Sequence, residues 1–273
     1  MLKLKALVKN WIPPIALHAM QSLRSPRIVF EGDFASWEEA AVKCSGYDAD
    51  NILAKVLDAT LKVKRGEAIF ERDSVLFDKT EYAWPVLAGL MCAASRSNGV
   101  LNVLDFGGAL GSSYFQNRMF LKDLPEVRWN VVEQAHYVKA GQEHIQDKHL
   151  RFYSTIDACV EENRPNVVLL SSVLQYMPDT TTFYNDICAL GCGTIILDRI
   201  IVNSTESDRI YVQHVPSSIY LASYPCRSLS EKHLINSISK NYKLKASFDS
   251  LSFPALSFIK SEFKGYIFHK EYL

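Results

Sequence analysis

Between Val100 and Leu197 the chain alternates short runs rich in Val, Ile and Leu with segments whose apolar residues recur at three and four positions. The runs are Val100–Phe106, Arg128–Glu133, Leu150–Tyr153, Val167–Ser171 and Thr194–Leu197, and each reads as a strand. Ser112–Leu121, Ala135–Ile145, Asp157–Glu162 and Thr181–Leu190 read as the helices between them. Strands joined through helices must lie parallel, and a parallel sheet is covered on both faces. Tyr242–Phe248 and Phe263–His269 follow with no helix of ordinary length between them, which predicts an antiparallel pair. The expected fold is α/β, a mostly parallel seven-stranded sheet with an antiparallel last strand.

The flanks obey other rules. Residues 31–80 read as mostly helical, with Ser36 and Glu39 spaced as a capping box and Ile52–Val63 carrying one apolar face. Tyr82–Ala94 is a further helix. The boundary is therefore placed at 79/80, with an N-terminal helical lid before the α/β domain. Residues 199–228 show no clear period and read as an irregular insertion roofing an acceptor pocket. Ser228 and Glu231 are spaced as a second capping box, opening a helix to about Lys240.

Charge and composition exclude several classes. Thirty basic residues balance thirty acidic ones, so no global field draws nucleic acid. No apolar run is long enough to span a membrane. The six cysteines are scattered, without paired CxxC motifs, so the expectation is buried thiols in a reducing cytoplasm and no metal site. Residues 1–30 carry Lys3, Lys5, Lys9, Arg24 and Arg27 and no acid, with Trp11 and several leucines beside them. Pro13 and Pro14 interrupt that run and no small-residue cleavage site follows, which argues against a secretory signal. The segment suits peripheral contact with the cytoplasmic face of an anionic membrane, or packing on its own domain or a partner.

The first strand ends in Asp105 and runs into Gly107, Gly108 and Gly111 before the helix at Ser112. Glycines let backbone approach a ligand, and a helix start offers unpaired N–H donors. A dinucleotide there favours GxGxxG. S-adenosylmethionine favours an acid before the turn, as here, with a second acid ending the next strand to take the ribose hydroxyls. Glu133 stands at that second position.

VLDFGGALG resembles motif I of the class I, Rossmann-like methyltransferases, usually spelt VLDxGxGxG, with Ala109 at the second glycine and Gly108 added before it. PNVVLLSSVLQYMPD is similar to motif IV of their small-molecule branch, with Gln175 and Tyr176 in the usual histidine region. Over nearly the whole chain, FEGDFASWEEA, GEAIFERDSVLFD, VLDFGGALGSSYFQNR, SSVLQYMPD, ILDR and VQHVPSSIYLASYP resemble a bacterial methyltransferase family encoded among lipopolysaccharide, O-antigen and capsule genes. The resemblance implies S-adenosylmethionine as cofactor and a sugar hydroxyl of a surface polysaccharide or its precursor as acceptor. Residues 1–30 would then lie beside lipid-linked intermediates or polysaccharide-assembly proteins.

Ligands of open α/β sheets bind beyond the carboxyl ends of the strands. The expected cofactor residues are Asp105, Gly107, Gly108, Gly111 and Glu133, with Ser171 and Ser172 after the fourth strand. The candidate catalytic residues are His214 first, as a base whose ordinary pKa suits neutral pH, then Asp198, and Tyr176. Tyr211, Tyr220 and Tyr224 are candidates to stack on sugar rings or to anchor their loop. Glu71, Arg72 and Asp73 are candidates to close over the cofactor or to form a solvated helix end. Two rival readings stand beside the enzyme: a non-catalytic interaction module of a polysaccharide-assembly complex, and an NAD-dependent sugar oxidoreductase.

Overall fold

A computed structural model describes residues 28–44, 49–72, 74–216, 222–250, 256 and 259–271. The expectations for residues 1–27, Asp73 and Tyr220 lie outside the described residues. Five parallel strands stand in the order β6 (Leu150–Tyr153), β5 (Glu126–Val132), β4 (Val100–Phe106), β7 (Val167–Ser171) and β8 (Thr194–Asn203). Antiparallel β12 (Glu262–Lys270) follows beside β8, and β11 (Tyr242–Asp249) pairs antiparallel with β12. These seven strands make the expected Rossmann-like α/β sheet.

Successive side chains of a strand face opposite ways, and both faces here are apolar. Leu101, Val103, Val167, Leu169 and Ile196 enter one core, with helices α2 (Ala49–Arg65), α3 (Trp84–Ser95), α4 (Ser112–Leu121) and α5 (Ala135–Ala140). Leu104, Val168, Leu170, Ile195 and Leu197 enter the other, with α6 (Ile156–Glu162), α7 (Thr180–Ala189) and α8 (Glu231–Ile238). The helix expected over 135–145 finishes as a π turn at Gly141–Ile145. Among the described residues no helix is long and apolar enough to cross a membrane. Cys159, Cys188, Cys192 and Cys226 are buried thiols, whereas Cys92 is exposed.

Three expectations need correction. Residues 199–228 are not irregular: β8 runs on to Asn203, and β9 (Arg209–Val215) and β10 (Ala222–Ser230) form an antiparallel pair. With β1 (Val29–Phe34) on the far side of β9, they widen the sheet to ten strands. The region before residue 80, expected to be mostly helical, also contains β1 and a small hairpin, β2 (Phe70–Arg72) with β3 (Val75–Phe77). Ile52, Val56 and Val63 of α2 share one core with β4, so this region packs as part of the α/β body. Helix α8 is capped by Ser230, whose hydroxyl accepts from His233 N–H, while Ser228 is buried inside β10. The first capping box holds: Ser36 Oγ accepts from Glu39 N–H at 3.1 Å, and Glu39 Oε2 accepts from Ala35 N–H at 3.0 Å, opening α1 (Trp37–Val42).

Among the described residues, strand pairing joins the extension to the parallel body at one place. β7 stops pairing with β8 at Ser171 and Asp198, and β10 pairs in parallel with β8 at Val202 and Asn203. Asn203 is buried there; its Nδ2 donates to Ser228 O at 2.8 Å and to Ser228 Oγ at 3.2 Å, and its Oδ1 accepts from Thr205 N–H. Replacing the amide by a hydrocarbon strands buried acceptors, which costs about 1–3 kcal/mol. Asn203→Leu is therefore expected to lower the unfolding free energy by that amount. Hydrogen exchange should quicken in β9 and β10 more than in β4, β5 and β7.

Candidate active site at the carboxyl ends of the parallel strands

Four strand ends meet in a row. Asp105 of β4 is level with Val131 of β5 and Leu169 of β7, and Ser171 of β7 is level with Asp198 of β8. Asp105 is 1% exposed. Its Oδ2 accepts from Trp129 Nε1 at 2.8 Å, and its Oδ1 has no hydrogen-bond partner among the described residues. Burial pushes its pKa up to about 7, with the negative charge of Glu133 adding to the rise and the Trp129 bond and Arg199 charge opposing it.

The glycine turn lies over this carboxylate. Gly107, Ala109 and Gly111 all have left-handed backbone, with φ of 71°, 50° and 89°. A Cβ on Gly108 would stand 2.5 Å from Asp105 Oδ2, so the absence of a side chain at 108 serves Asp105. At the end of β5, Glu133 is half-buried; its carboxylate accepts from Gln134 N–H at 2.6 Å and is also bonded by the Ala109 backbone N–H. Burial raises the Glu133 pKa, and those two backbone bonds work against the rise. The left-handed turn at Ala109 thus delivers an amide to the second acid.

β2 packs against the start of α4, and buried Glu71 accepts a hydrogen bond from Ser112 Oγ there. The guanidinium of Arg72 lies 5.3 Å from the centre of the Phe70 ring. Glu71 is thus placed beside the glycine turn.

At the next pair of strand ends, Ser171 Oγ donates to Asp198 Oδ2 at 2.8 Å and Ser250 Oγ donates to Asp198 Oδ1 at 3.1 Å. Arg199 Nε pairs with Asp198 Oδ2 at 3.4 Å. Gln175 is completely buried, and its Nε2 donates to Ser172 Oγ at 3.0 Å and to Arg199 O at 3.2 Å. Beyond it, Tyr176 and Tyr224 meet edge to face with ring centres 5.2 Å apart. Tyr176 OH donates to Gln213 Oε1 at 3.2 Å, and Gln213 Nε2 donates to Tyr224 OH at 3.4 Å.

The expected residues therefore separate. Asp105, the glycines and Glu133 come together; Ser171, Ser172 and Asp198 form an adjoining cluster, with Tyr176 and Tyr224 beyond. His214 joins neither group. Its neighbour Gln213 faces Tyr176, so strand alternation turns His214 to the opposite side, where its Nε2 lies 2.9 Å from Glu31 Oε2. Tyr211 is buried in the sheet and anchors it rather than offering a face to a sugar. The sequence reading missed Trp129, Gln213 and Ser250. Alternation along paired strands signals Trp129 once β4 and β5 are known to be neighbours, because Trp129 is level with Val103 on the face of Asp105.

No protein-family model matches this chain, and no curated protein sequence matches it. Among solved structures it is similar to the N-methyltransferase NodS from Bradyrhizobium japonicum WM9 with S-adenosyl-L-homocysteine. That match has 12% identity over 71% of this chain and 90% of that one, with a TM-score of 0.43. It is also similar to the N-terminal domain of EvdMO1 in the presence of S-adenosylhomocysteine and D-fucose, at 13% identity over 82% and 98% of the two chains and a TM-score of 0.47. A third is an S-adenosylmethionine-dependent methyltransferase from Clostridium acetobutylicum ATCC 824, at 10% identity over 82% and 100%, with a TM-score of 0.47. None of the three says what this chain acts on.

Asp105 holds its proton more tightly folded than unfolded. Its ionisation therefore removes stability as pH rises from about 4, the unfolded value, towards the folded value of about 7. Asp105→Asn is expected to flatten that decline, read from melting temperatures at mildly acid and mildly alkaline pH. At Ala109 a side chain occupies left-handed backbone at a cost of about 1–2 kcal/mol, partly offset by the stiffer unfolded chain. Ala109→Gly should raise stability by up to about 1 kcal/mol in denaturant unfolding.

Proposed function

We propose that this chain is an S-adenosylmethionine-dependent methyltransferase that methylates a sugar hydroxyl of a surface polysaccharide or its precursor. The observation that carries the cofactor is Asp105: a buried carboxylate oxygen without a partner, beneath a glycine turn and one strand from a second acid. A cationic amino-acid ligand supplies the missing charge and donor, and Gly108 keeps the space above Asp105 free of a side chain. Asp105, Gly107, Gly108 and Gly111 would hold the methionine part, Glu133 the ribose, and Ser171 and Ser172 the side towards β8.

When bound, the cofactor supplies an electrophilic methyl group on a sulfonium sulfur. The chain's task is to hold an acceptor oxygen in line with it and to take the hydroxyl proton. Asp198 carries the base role in this reading. Its Oδ2 already serves Ser171 and Arg199, whereas Oδ1 accepts, among the described residues, only from Ser250 and has a lone pair for the acceptor hydroxyl. Tyr176 donates its own proton to Gln213, which makes it a wall of the acceptor space rather than a base. His214, held by Glu31, has no part in the step.

The acceptor class rests on the resemblance of the long segments from FEGDFASWEEA to VQHVPSSIYLASYP. The basic, acid-free residues 1–30 support work beside lipid-linked intermediates at the inner membrane face. Calorimetric titration of S-adenosylmethionine, S-adenosylhomocysteine and NAD tests the cofactor. Both sulfur ligands are expected to bind with Kd near micromolar, about −8 kcal/mol, with NAD silent and binding lost in Glu133→Ala. Silence with all three would remove the enzyme reading and leave the interaction module.

A further inference from the structure

Opposite Lys264–Tyr266 of β12, β8 spends four residues, Leu197–Ile200, where three would match. The extra residue is a β-bulge, and Arg199 within it has left-handed backbone, φ 52°. In a regular strand, residues three apart face opposite ways. Here Leu197 and Ile200 both enter the core beneath α6, α7 and α8. The two side chains between them, Asp198 and Arg199, are consequently both turned to the other face, where Asp105 lies. Two observations agree with that placement: Arg199 Nη2 donates to Ser171 Oγ at 3.1 Å, and the Arg199 charge acts on the Asp105 carboxylate.

The bulge is held deliberately. Ser172, at the end of the neighbouring strand, is also left-handed, φ 58°, and the buried Gln175 amide bonds both Ser172 Oγ and Arg199 O. Without the extra residue, Arg199 would point into hydrocarbon. Arg199 meets Asp198 Oδ2 through one edge only, its Nε at 3.4 Å, while Ser171 and Ser250 donate to the two carboxylate oxygens. Nη1 of Arg199 makes no hydrogen bond to the described residues. A guanidinium is a planar fork suited to carboxylate or phosphate, and its Nη1 edge is left over once Nε meets Asp198 and Nη2 meets Ser171.

We infer that Arg199 receives an oxyanion of the acceptor, so that the sugar methylated here carries a carboxylate or a phosphate. This rests on the β7–β8 ends being the acceptor side, as proposed above, and specifies the acceptor's chemistry.

The test titrates glucuronic acid, glucose 1-phosphate and glucose into wild type, Arg199→Lys and Arg199→Gln, each with and without saturating S-adenosylhomocysteine. One or both charged sugars are expected to bind wild type about tenfold tighter than glucose, the value of one charge-assisted hydrogen bond. Which of the two binds better identifies carboxylate or phosphate as the group. That preference should weaken with added salt, fall partly in Arg199→Lys and vanish in Arg199→Gln. The salt series on wild type needs no variant and stands if a variant fails to fold. Equal binding of all three sugars, silence of all three, or a preference that survives in Arg199→Gln would overturn the inference. So would a loss of S-adenosylhomocysteine affinity in Arg199→Gln, because the anion would then be the cofactor's own carboxylate. Failure of wild type to bind S-adenosylhomocysteine would instead strike the methyltransferase reading, and the sugar preference measured without it would still decide Arg199.

Discussion

Burial of the parallel strands on both faces governs where chemistry can occur in this molecule. Val103, Leu104, Val167, Val168, Ile195 and Ile196 are fully buried, so an ionised group has no place at these positions. Acids appear where the parallel pairing runs out: Asp105 near the end of β4, Glu133 just past β5, and Asp198 of β8, level with the last residue of β7. Each is met by donors that its own surroundings supply, namely Trp129 for Asp105, the Ala109 and Gln134 amides for Glu133, and two serines for Asp198. Asp105 is the least satisfied of the three, and its raised pKa is the measure of that.

Backbone strain gathers at the same edge. Ala109, Ser172 and Arg199 are non-glycine residues with positive φ, and all three lie in the loops or bulge beside these acids. Each left-handed residue costs about 1–2 kcal/mol, which persists only where surrounding contacts fix it. Ala109 is fixed by the bond from its amide to Glu133, and the other two by the Gln175 amide. The strained turns convert regular strands into a surface that aims particular polar groups at one another.

The parallel order, the antiparallel last pair and the glycine turn were legible because hydrophobic periodicity records them directly. β9 and β10 were not. β10 contains Pro225 and several serines, a composition that argues against a strand, yet it pairs through Ser223, Tyr224 and Cys226 to β9. The continuation of β8 was hidden by its own bulge: the extra residue breaks the apolar run at Asp198–Arg199, where a sequence reading ends the strand. His214 was chosen by the chemistry of its side chain, and only the pairing of β9 with β1 shows that Gln213, the next residue along, faces Tyr176 while His214 faces Glu31. Trp129 carries no mark of its own within the strand Arg128–Glu133; it is fully buried in the core and also donates to Asp105.

β7 ends at Ser171, level with Asp198, and beyond that point the freed edge of β8 pairs with β10, which brings in the whole β1–β9–β10 extension. That extension brings Gln213 and Tyr224 against Tyr176, which stands on the turn following β7. The extra residue of the β8 bulge turns Arg199 out of the hydrocarbon core and towards Asp105. A regular β8 would instead turn an arginine into apolar surroundings, where its charge has no partner. One inserted residue therefore sets the charge that stands beside the strand ends.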